Sequence, residues 1–415
     1  MIIMANLLFL VHRLPFPPNK GDKVRSYHLL KHLTARHRVF LGTFVDDPDD
    51  DAYIDTVRAM CPDLYVARLR PRMAKLRSLT GLLTQQALSL RYYQDAHLQT
   101  WVNQTLADNQ IDTTIIFSSV MAQYVQAIPG VTHPPMLVDF VDVDSSKWTQ
   151  YASSHNWPLS WLYQREGERL QIFERAVAAR SKKSFFVTEN ETVLFQKLAP
   201  ECADVVVAMS NGVDTDYFSP DPVRVSPFVG PASQPEQIPV VFTGAMDYWP
   251  NIDAVTWFAR DILPRLRRTW PQLRFYIVGR NPPLSVLALA SDSVVVTGTV
   301  PDVRPYLQHA ALVVAPLRVA RGLQNKILEA MAMGRPVVAS RTCAQAIDAR
   351  GDELVCVSGV GGFVSEMDAL LRSPARAAAV GQSARLRAVE SYSWTAHLGG
   401  IDRYLGAQQP TREKV

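Results

Sequence analysis

A chain of 415 residues, 47% hydrophobic and 20% charged, is long enough for two or three domains with separate cores. Its 43 basic and 39 acidic residues leave a net charge of +4, too small to point to nucleic acid. Four cysteines (Cys61, Cys202, Cys343, Cys356) form no CxxC pair, which argues against a zinc knuckle or a disulfide framework and fits a reducing cytoplasm.

The opening MIIMANLLFLVHR lacks the basic start and small-residue cleavage site of a signal peptide. Its apolar run is too short to span a bilayer, as is every later one, so the chain reads as soluble or peripheral. Strands are predicted at 6–11, 38–44, 63–69, 112–117, 136–140, 183–187 and 204–208. The proline-stiffened loop PFPPNKGDK leads into a helix over 22–35, with Val24, Tyr27, Leu30 and Leu33 on one side. His28, His32 and His37 sit close together, but no acidic residue accompanies them at helical spacing, so no metal site is expected.

Residues 68–83 interleave five basic residues with Leu69, Met73, Leu76, Leu79, Leu82 and Leu83. Such a stretch is either a surface helix with its apolar side in the core or a contact with an anionic membrane. DFVDVDSSKW carries Asp139, Asp142 and Asp144, and Asp142-Val143-Asp144 is a DxD. These carboxylates either cap turns after the strand or meet a substrate hydroxyl.

Residues 219–239 hold six prolines and almost no periodic apolar signal, marking an interdomain linker. Beyond it strands are predicted at 239–243, 273–278, 293–297, 311–315, 336–339 and 353–357, with helices at 252–268, 302–309, 323–333 and 376–391. This alternation implies an α/β fold with a parallel sheet in each half, and such sheets bind ligands beyond the carboxyl ends of their strands.

RGLQNKILEAMAMGRPVVAS, 321–340, places a helix that is apolar almost all round between a turn and a strand. Only Asn325, Glu329 and, at the margin, Lys326 form a polar stripe. A helix start offers backbone N–H groups and a partial positive charge that suit a diphosphate. Lys326 can add a cation there, and Glu329, one turn on, can accept bonds from the two hydroxyls of a ribose. A buried helix with a polar rim facing another loop would show the same pattern.

LEAMAMGRPVVAS resembles the nucleotide-sugar helix and following strand of the family-4 retaining glycosyltransferases. NGVDTDYFSP (211–220), FTGAMDYWPNIDAV (242–255), IVG (277–279) and TGTVPDVRPYL (297–307) match further segments in order. HRLPFPPNKGDKVR (12–25), DFVDVDSSKW and GLQNKILEAMA are closer still to a subgroup associated with exosortase-linked exopolysaccharide loci.

The resemblance implies the GT-B fold, two Rossmann-like parallel-sheet domains facing across a cleft. Expected bounds are 1–215 for an acceptor-side domain, 216–239 for the linker, 240–390 for the nucleotide-sugar domain and 391–415 for a crossover helix and tail. It implies that Glu329 binds the donor ribose, Gly244 and Gly279 admit the backbone to the nucleotide, and Val300 lies at the base. Gly279 reads equally as a plain strand-end glycine. Gly322, Leu323, Gln324 and Asn325 would face sugar and phosphates, with Gly21 and Lys23 approaching from the first half. Arg321 stands where many family members carry a second glutamate, eight positions before Glu329.

Lys326 is the expected stabiliser of leaving-group charge, with Asp142 and Asp144 on the acceptor side. No metal and no cofactor are expected beyond the nucleotide-diphosphate sugar as co-substrate. The implied reaction transfers its sugar, with retention, to a saccharide acceptor, lipid-linked in exopolysaccharide assembly, in the cytoplasm at the inner face of the membrane. Alternatives are a sugar-nucleotide epimerase or hydrolase, or a non-catalytic nucleotide-sugar-binding subunit.

Overall fold

The computed structural model describes residues 4–18, 21–125, 133–153, 155–228, 237–319, 323–344 and 347–405. The chain divides into two compact units, Met1–Ser210 with Leu398–Val415, and Asn211–His397. Each has its own apolar core.

The first unit is built on β1 (Asn6–Val11), β2 (Arg38–Val45), β3 (Asp63–Arg68), β4 (Thr113–Phe117), β5 (Met136–Val141), β6 (Lys183–Phe186) and β7 (Val206–Ala208). They form one parallel sheet in the order β3-β2-β1-β4-β5-β6-β7. Runs such as LLFLV are buried on both faces, as a sheet covered by helices on each side requires. The order reverses between β1 and β4, and at that point the loops leaving the two strands diverge and open a crevice.

The second unit repeats the plan with β8 (Ile238–Thr243), β9 (Leu273–Val278), β10 (Val294–Gly298), β11 (Leu312–Ala315), β12 (Val337–Ser340) and β13 (Val355–Val357). Its parallel order is β10-β9-β8-β11-β12-β13, with the switch point between β8 and β11. Among the described residues thirteen strands are thus present where thirteen are predicted, with ends shifted by two residues at most.

Helices depart further from expectation. The helix predicted over 252–268 is Trp249–Trp257, a π-helical turn Phe258–Ile262 and Leu263–Leu266. Pro264 has no N–H to give the ladder, and the Leu263 N–H reaches five residues back to the Phe258 carbonyl. Helix Gly359–Arg372 has no counterpart in the prediction, because glycines at 359, 361 and 362 conceal its start.

Helix Gly21–Thr34 buries a face that only partly matches the predicted one. Leu30 and Leu33 point inward with Lys23, Arg25, Ser26 and Leu29, while Val24 and Tyr27 are only partly covered. Two cations enter the interior because each meets a carboxylate there. Lys23 Nζ lies 2.7 Å from both Asp50 oxygens, and Arg25 holds Asp139 through Nε at 2.7 Å and Nη2 at 3.2 Å.

The described part of the proline-rich stretch packs within the second unit. The Asp221 N–H donates to Gln308 at 2.9 Å, and the Phe228 ring meets Tyr276 at 4.6 Å. Helix Trp394–Asp402 begins in the second unit and ends in the first, where Asp402 binds His32 and Arg36, each at 2.7 Å.

Candidate functional site

In the second unit, helix Asn325–Ala332 follows β11 and buries Ile327, Leu328, Ala330, Met331 and Ala332. Asn325 is exposed and Glu329 half-buried, so the polar stripe read from the sequence is the edge that the helix leaves open. Among the described residues the Glu329 carboxylate has no hydrogen-bond partner. Burial pushes its pKa up to about 7, against the opposing pull of Lys326.

Lys326, one turn earlier, points at the β8 loop. Its ammonium donates to Asn251 Oδ1 at 2.5 Å and stands 4.6 Å from the centre of the Phe242 ring. Burial pushes this lysine down to about 8, although Glu329 pulls the other way. Asn251 is itself fixed, donating to the Ala245 carbonyl at 2.8 Å.

Glycines make this convergence possible. A Cβ on Gly244 would stand 2.8 Å from Asn251 Nδ2 and 3.3 Å from Lys326 Nζ. One on Gly279 would lie 1.7 Å from the Gly244 carbonyl oxygen, which no side chain can do. Gly279 therefore lets the loops after β8 and β9 stack, which gives it a packing role whatever else it touches. Gly244, Asn251, Lys326 and Glu329 come together at the carboxyl end of β8, where the strand order reverses.

Leu323 is half-buried against the core, and Gln324 stands at the helix cap in extended conformation. Val300 packs on the same core, two residues past β10. Arg321 and Gly322 lie outside the described residues.

The first unit carries a second constellation at its own switch point. His12 and Arg13 follow β1 directly and Ser118 follows β4. With Tyr93, Asp144 and Lys147 they line a cavity of about 230 Å³. His12 stacks on Phe117 with ring centres 5.9 Å apart, and its Nε2 lies 3.3 Å from Asp22. Its Nδ1 is buried without a partner among the described residues. Arg13 bridges Asp46 at 2.9 Å and Asp22 at 3.0 Å. Burial works to raise the Asp22 carboxyl, but the His12 hydrogen bond and the charges of His12 and Arg13 outweigh it and hold it below the carboxylate range.

The backbone is strained beside this cavity. Ser118 and the β-branched Val141, at the ends of β4 and β5, have φ of 71° and 69°. The Val141 N–H donates to Asp139 Oδ1 at 3.2 Å, so the buried Arg25–Asp139 pair holds the turn that presents Asp142 and Asp144. Both aspartates close on Lys147 Nζ, at 2.8 and 2.9 Å. A cation already occupies the edge that a DxD would offer to a metal, and only Asp144 lines the cavity.

Gly21 is exposed at the start of its helix, with open space around a would-be Cβ. Lys23 does not meet the expectation of a phosphate-facing cation, because its ammonium is buried and spent on Asp50. The cations that do line the cavity are Arg13 and Lys147. Sequence reasoning passed over His12, Arg13 and Asn251. The signal for the first two was their place immediately after the first strand, at the switch point.

Comparison with known proteins agrees with this layout. Residues 237–373, most of the second unit, match the family described as "Glycosyl transferases group 1". Over nearly its whole length the chain shares its fold with solved structures. Anabaena Alr3699/HepE in complex with UDP superposes with a TM-score of 0.62 at 16% identity, covering 97% of this chain and 99% of that one. Sucrose-phosphate synthase from Thermosynechococcus elongatus gives 0.62 at 16% identity over the same shares. The fold is thus that of the GT-B glycosyltransferases, two Rossmann-like parallel-sheet domains in one chain.

Among characterised proteins, a GDP-mannose-dependent alpha-(1-6)-phosphatidylinositol monomannoside mannosyltransferase of Mycolicibacterium smegmatis is 30% identical over 222 residues. That match spans 49% of this chain and 56% of the relative, about half of each.

Proposed function

We propose that the protein is a glycosyltransferase that takes a sugar from a nucleotide-diphosphate sugar and passes it to a saccharide acceptor. The observation that carries this reading is the half-buried Glu329 beside Lys326 in the helix after β11, with Lys326 directed at the loop after β8 where Gly244 and Gly279 keep side chains out. A carboxylate accepts from vicinal ribose hydroxyls, while backbone N–H groups and an ammonium receive a diphosphate. The relative that uses GDP-mannose and the neighbour solved with UDP support a nucleoside diphosphate as ligand and make GDP and UDP the pair to test.

As the bond to the anomeric carbon breaks, negative charge builds on the leaving diphosphate, and Lys326, fixed by Asn251, is placed to stabilise it. By the sequence resemblance Leu323, Gln324 and Asn325 serve the sugar and phosphates and Val300 the base; the same resemblance assigns Gly322 and Arg321, outside the described residues, to the sugar and phosphates. The first unit supplies the acceptor side through His12, Arg13 and Asp144. Retention of configuration, with front-face attack assisted by the leaving phosphate, rests on the sequence resemblance. So do a lipid-linked acceptor and a place in exopolysaccharide assembly.

The reaction needs no metal in this reading, since Lys326 and the helix start provide the positive charge. Among the described residues no helix is long and apolar enough to cross a membrane. Membrane contact falls to segment 68–83, whose Met73, Leu76, Leu79 and Leu83 are exposed among arginines and lysine rather than turned into the core.

The test is turnover of GDP- and UDP-sugars with and without saccharide acceptors, with chelator present. Acceptor-dependent release of nucleoside diphosphate is expected. Release without acceptor indicates a hydrolase or epimerase, and tight nucleotide binding without any turnover indicates a binding subunit.

A further inference from the structure

A second cavity of the first unit, about 480 Å³, adjoins the polar one and differs from it in chemistry. Its walls are Leu79, Leu88, Tyr92, Trp148, Leu162 and Tyr163. Arg13, Ser89, Tyr93 and Trp148 line both cavities, so the two are continuous. Glu166 also reaches this wall, but its carboxylate is saturated by the N–H groups of Leu88 and Ser89 and the Ser89 hydroxyl, at 2.5, 2.9 and 2.7 Å. The Glu166 carboxylate is thus spent within the wall, and Arg13 and Lys75 are the charged groups that reach the two ends of the cavity.

The walls are tied into one body. Arg165 donates to the carbonyls of Gly81 and Gln86, at 2.7 and 3.2 Å, and Arg77 to those of Arg91 and Tyr92, at 3.2 and 3.0 Å. The apolar space is therefore set by the fold.

Helix Pro71–Ser78 and the turn Leu79–Leu82 close its outer side, contributing Lys75, Ser78 and Leu79. Along that rim Met73 is 62% exposed, Leu76 64% and Leu83 87%. From Leu64 to Gln94 the chain holds no acidic residue but carries Arg68, Arg70, Arg72, Lys75, Arg77 and Arg91. Polarity is thus graded, with His12, Arg13, Asp144 and Lys147 at the inner cavity, a largely apolar passage in the middle, and a basic, apolar rim outside.

We propose that the apolar cavity holds the aliphatic chain of an amphiphilic acceptor whose sugar head lies in the polar cavity. The chain enters from an anionic lipid surface against which the basic rim rests. This deepens the functional reading above and rests on it for the word acceptor. The binding itself belongs to the first unit, whereas the nucleotide belongs to the second. A sugar head uses the polar groups at Asp144 and His12, the chain is desolvated between leucines and aromatic rings, and the rim matches phosphate headgroups.

The test titrates the full chain calorimetrically with dodecyl maltoside below its micelle threshold and, in parallel, with maltose. The alkyl glycoside is expected to bind at one site and at least tenfold more tightly than maltose. Leu162→Trp, which fills the cavity, and Leu79→Glu, at a half-exposed wall position that tolerates a charge, should each abolish that advantage. Both should leave GDP or UDP binding unchanged, and near-ultraviolet circular dichroism reports whether Leu162→Trp keeps its fold. Equal binding of the two glycosides, or binding at many sites indifferent to both variants, overturns the proposal. Failure of the parent to bind any nucleotide would instead strike the functional reading, leaving the cavity result standing.

Discussion

Glu329 and Lys326 are groups of opposite charge whose interior position pushes each towards neutrality, to about 7 and about 8. The sign of the pH dependence follows. Below pH 7 Glu329 gains a proton and stops accepting from a ribose, and above pH 8 Lys326 loses one and stops attracting phosphate. Nucleotide affinity should therefore peak between the two and fall on either side, read by titration across the range. Glu329→Ala should cost about 1.5–3 kcal/mol of nucleotide binding, the range for hydrogen bonds to a charged group. Lys326→Ala should lower kcat by about 10²–10³-fold with a smaller change in donor affinity, because leaving-group charge grows only in the transition state. An equal loss of ground-state nucleotide binding with kcat intact would remove it from the chemistry. The place of Glu329 on the open edge of its helix was legible because a carboxylate on an otherwise apolar helix is expensive to bury. Lys23 misled because its partner Asp50 lies 27 positions away, and no local pattern marks a long-range ion pair.

At the scale of elements, every strand was legible because strands buried on both faces read as continuous Val, Ile, Leu and Phe runs. Helices were less so wherever ionic burial, proline or glycine broke the apolar period, as at Arg25, Pro264 and Gly359. The turn after β5 depends on a contact that the sequence does not announce. Arg25 reaches across from the first helix to Asp139, and Asp139 caps the strained Val141. Burial raises the Asp139 carboxyl despite this arginine. Asp139→Ala takes the carboxylate away from a buried guanidinium and should cost about 3–5 kcal/mol in denaturant unfolding. A loss under about 1 kcal/mol would mean that the pair does not hold the turn. Segment 68–83 reads as amphipathic from sequence, but periodicity cannot say whether the apolar side faces inward. In the structure Leu69, Ala74, Ser78 and Gly81 are buried, whereas Met73, Leu76, Leu79 and Leu83 point out. Replacing Arg70, Arg72 and Lys75 with glutamate should release the protein from phosphatidylglycerol vesicles in a flotation assay and leave its weak binding to phosphatidylcholine unaltered. Undiminished flotation with the anionic lipid would exclude this rim as the contact.

For the molecule as a whole, both sheets reverse strand order beside the strand that opens them, and each collects its polar groups there. Gly244, Asn251, Lys326 and Glu329 mark one switch point, and His12, Arg13 and Ser118 the other. The polar groups of the second unit mostly fall within short motifs and were readable, whereas those of the first are assembled from loops as far apart in sequence as His12 and Lys147, which only the folded chain brings together. The claim at the centre is that the β8 loop and helix Asn325–Ala332 form a nucleoside-diphosphate site. Calorimetric titration of the full chain with GDP and with UDP between pH 7 and pH 8, repeated on Glu329→Ala, tests it most directly. Saturable one-to-one binding of at least one nucleotide, weakened at least tenfold by the substitution, is the predicted result. Absence of binding by both nucleotides, or equal affinity in parent and variant, would contradict it.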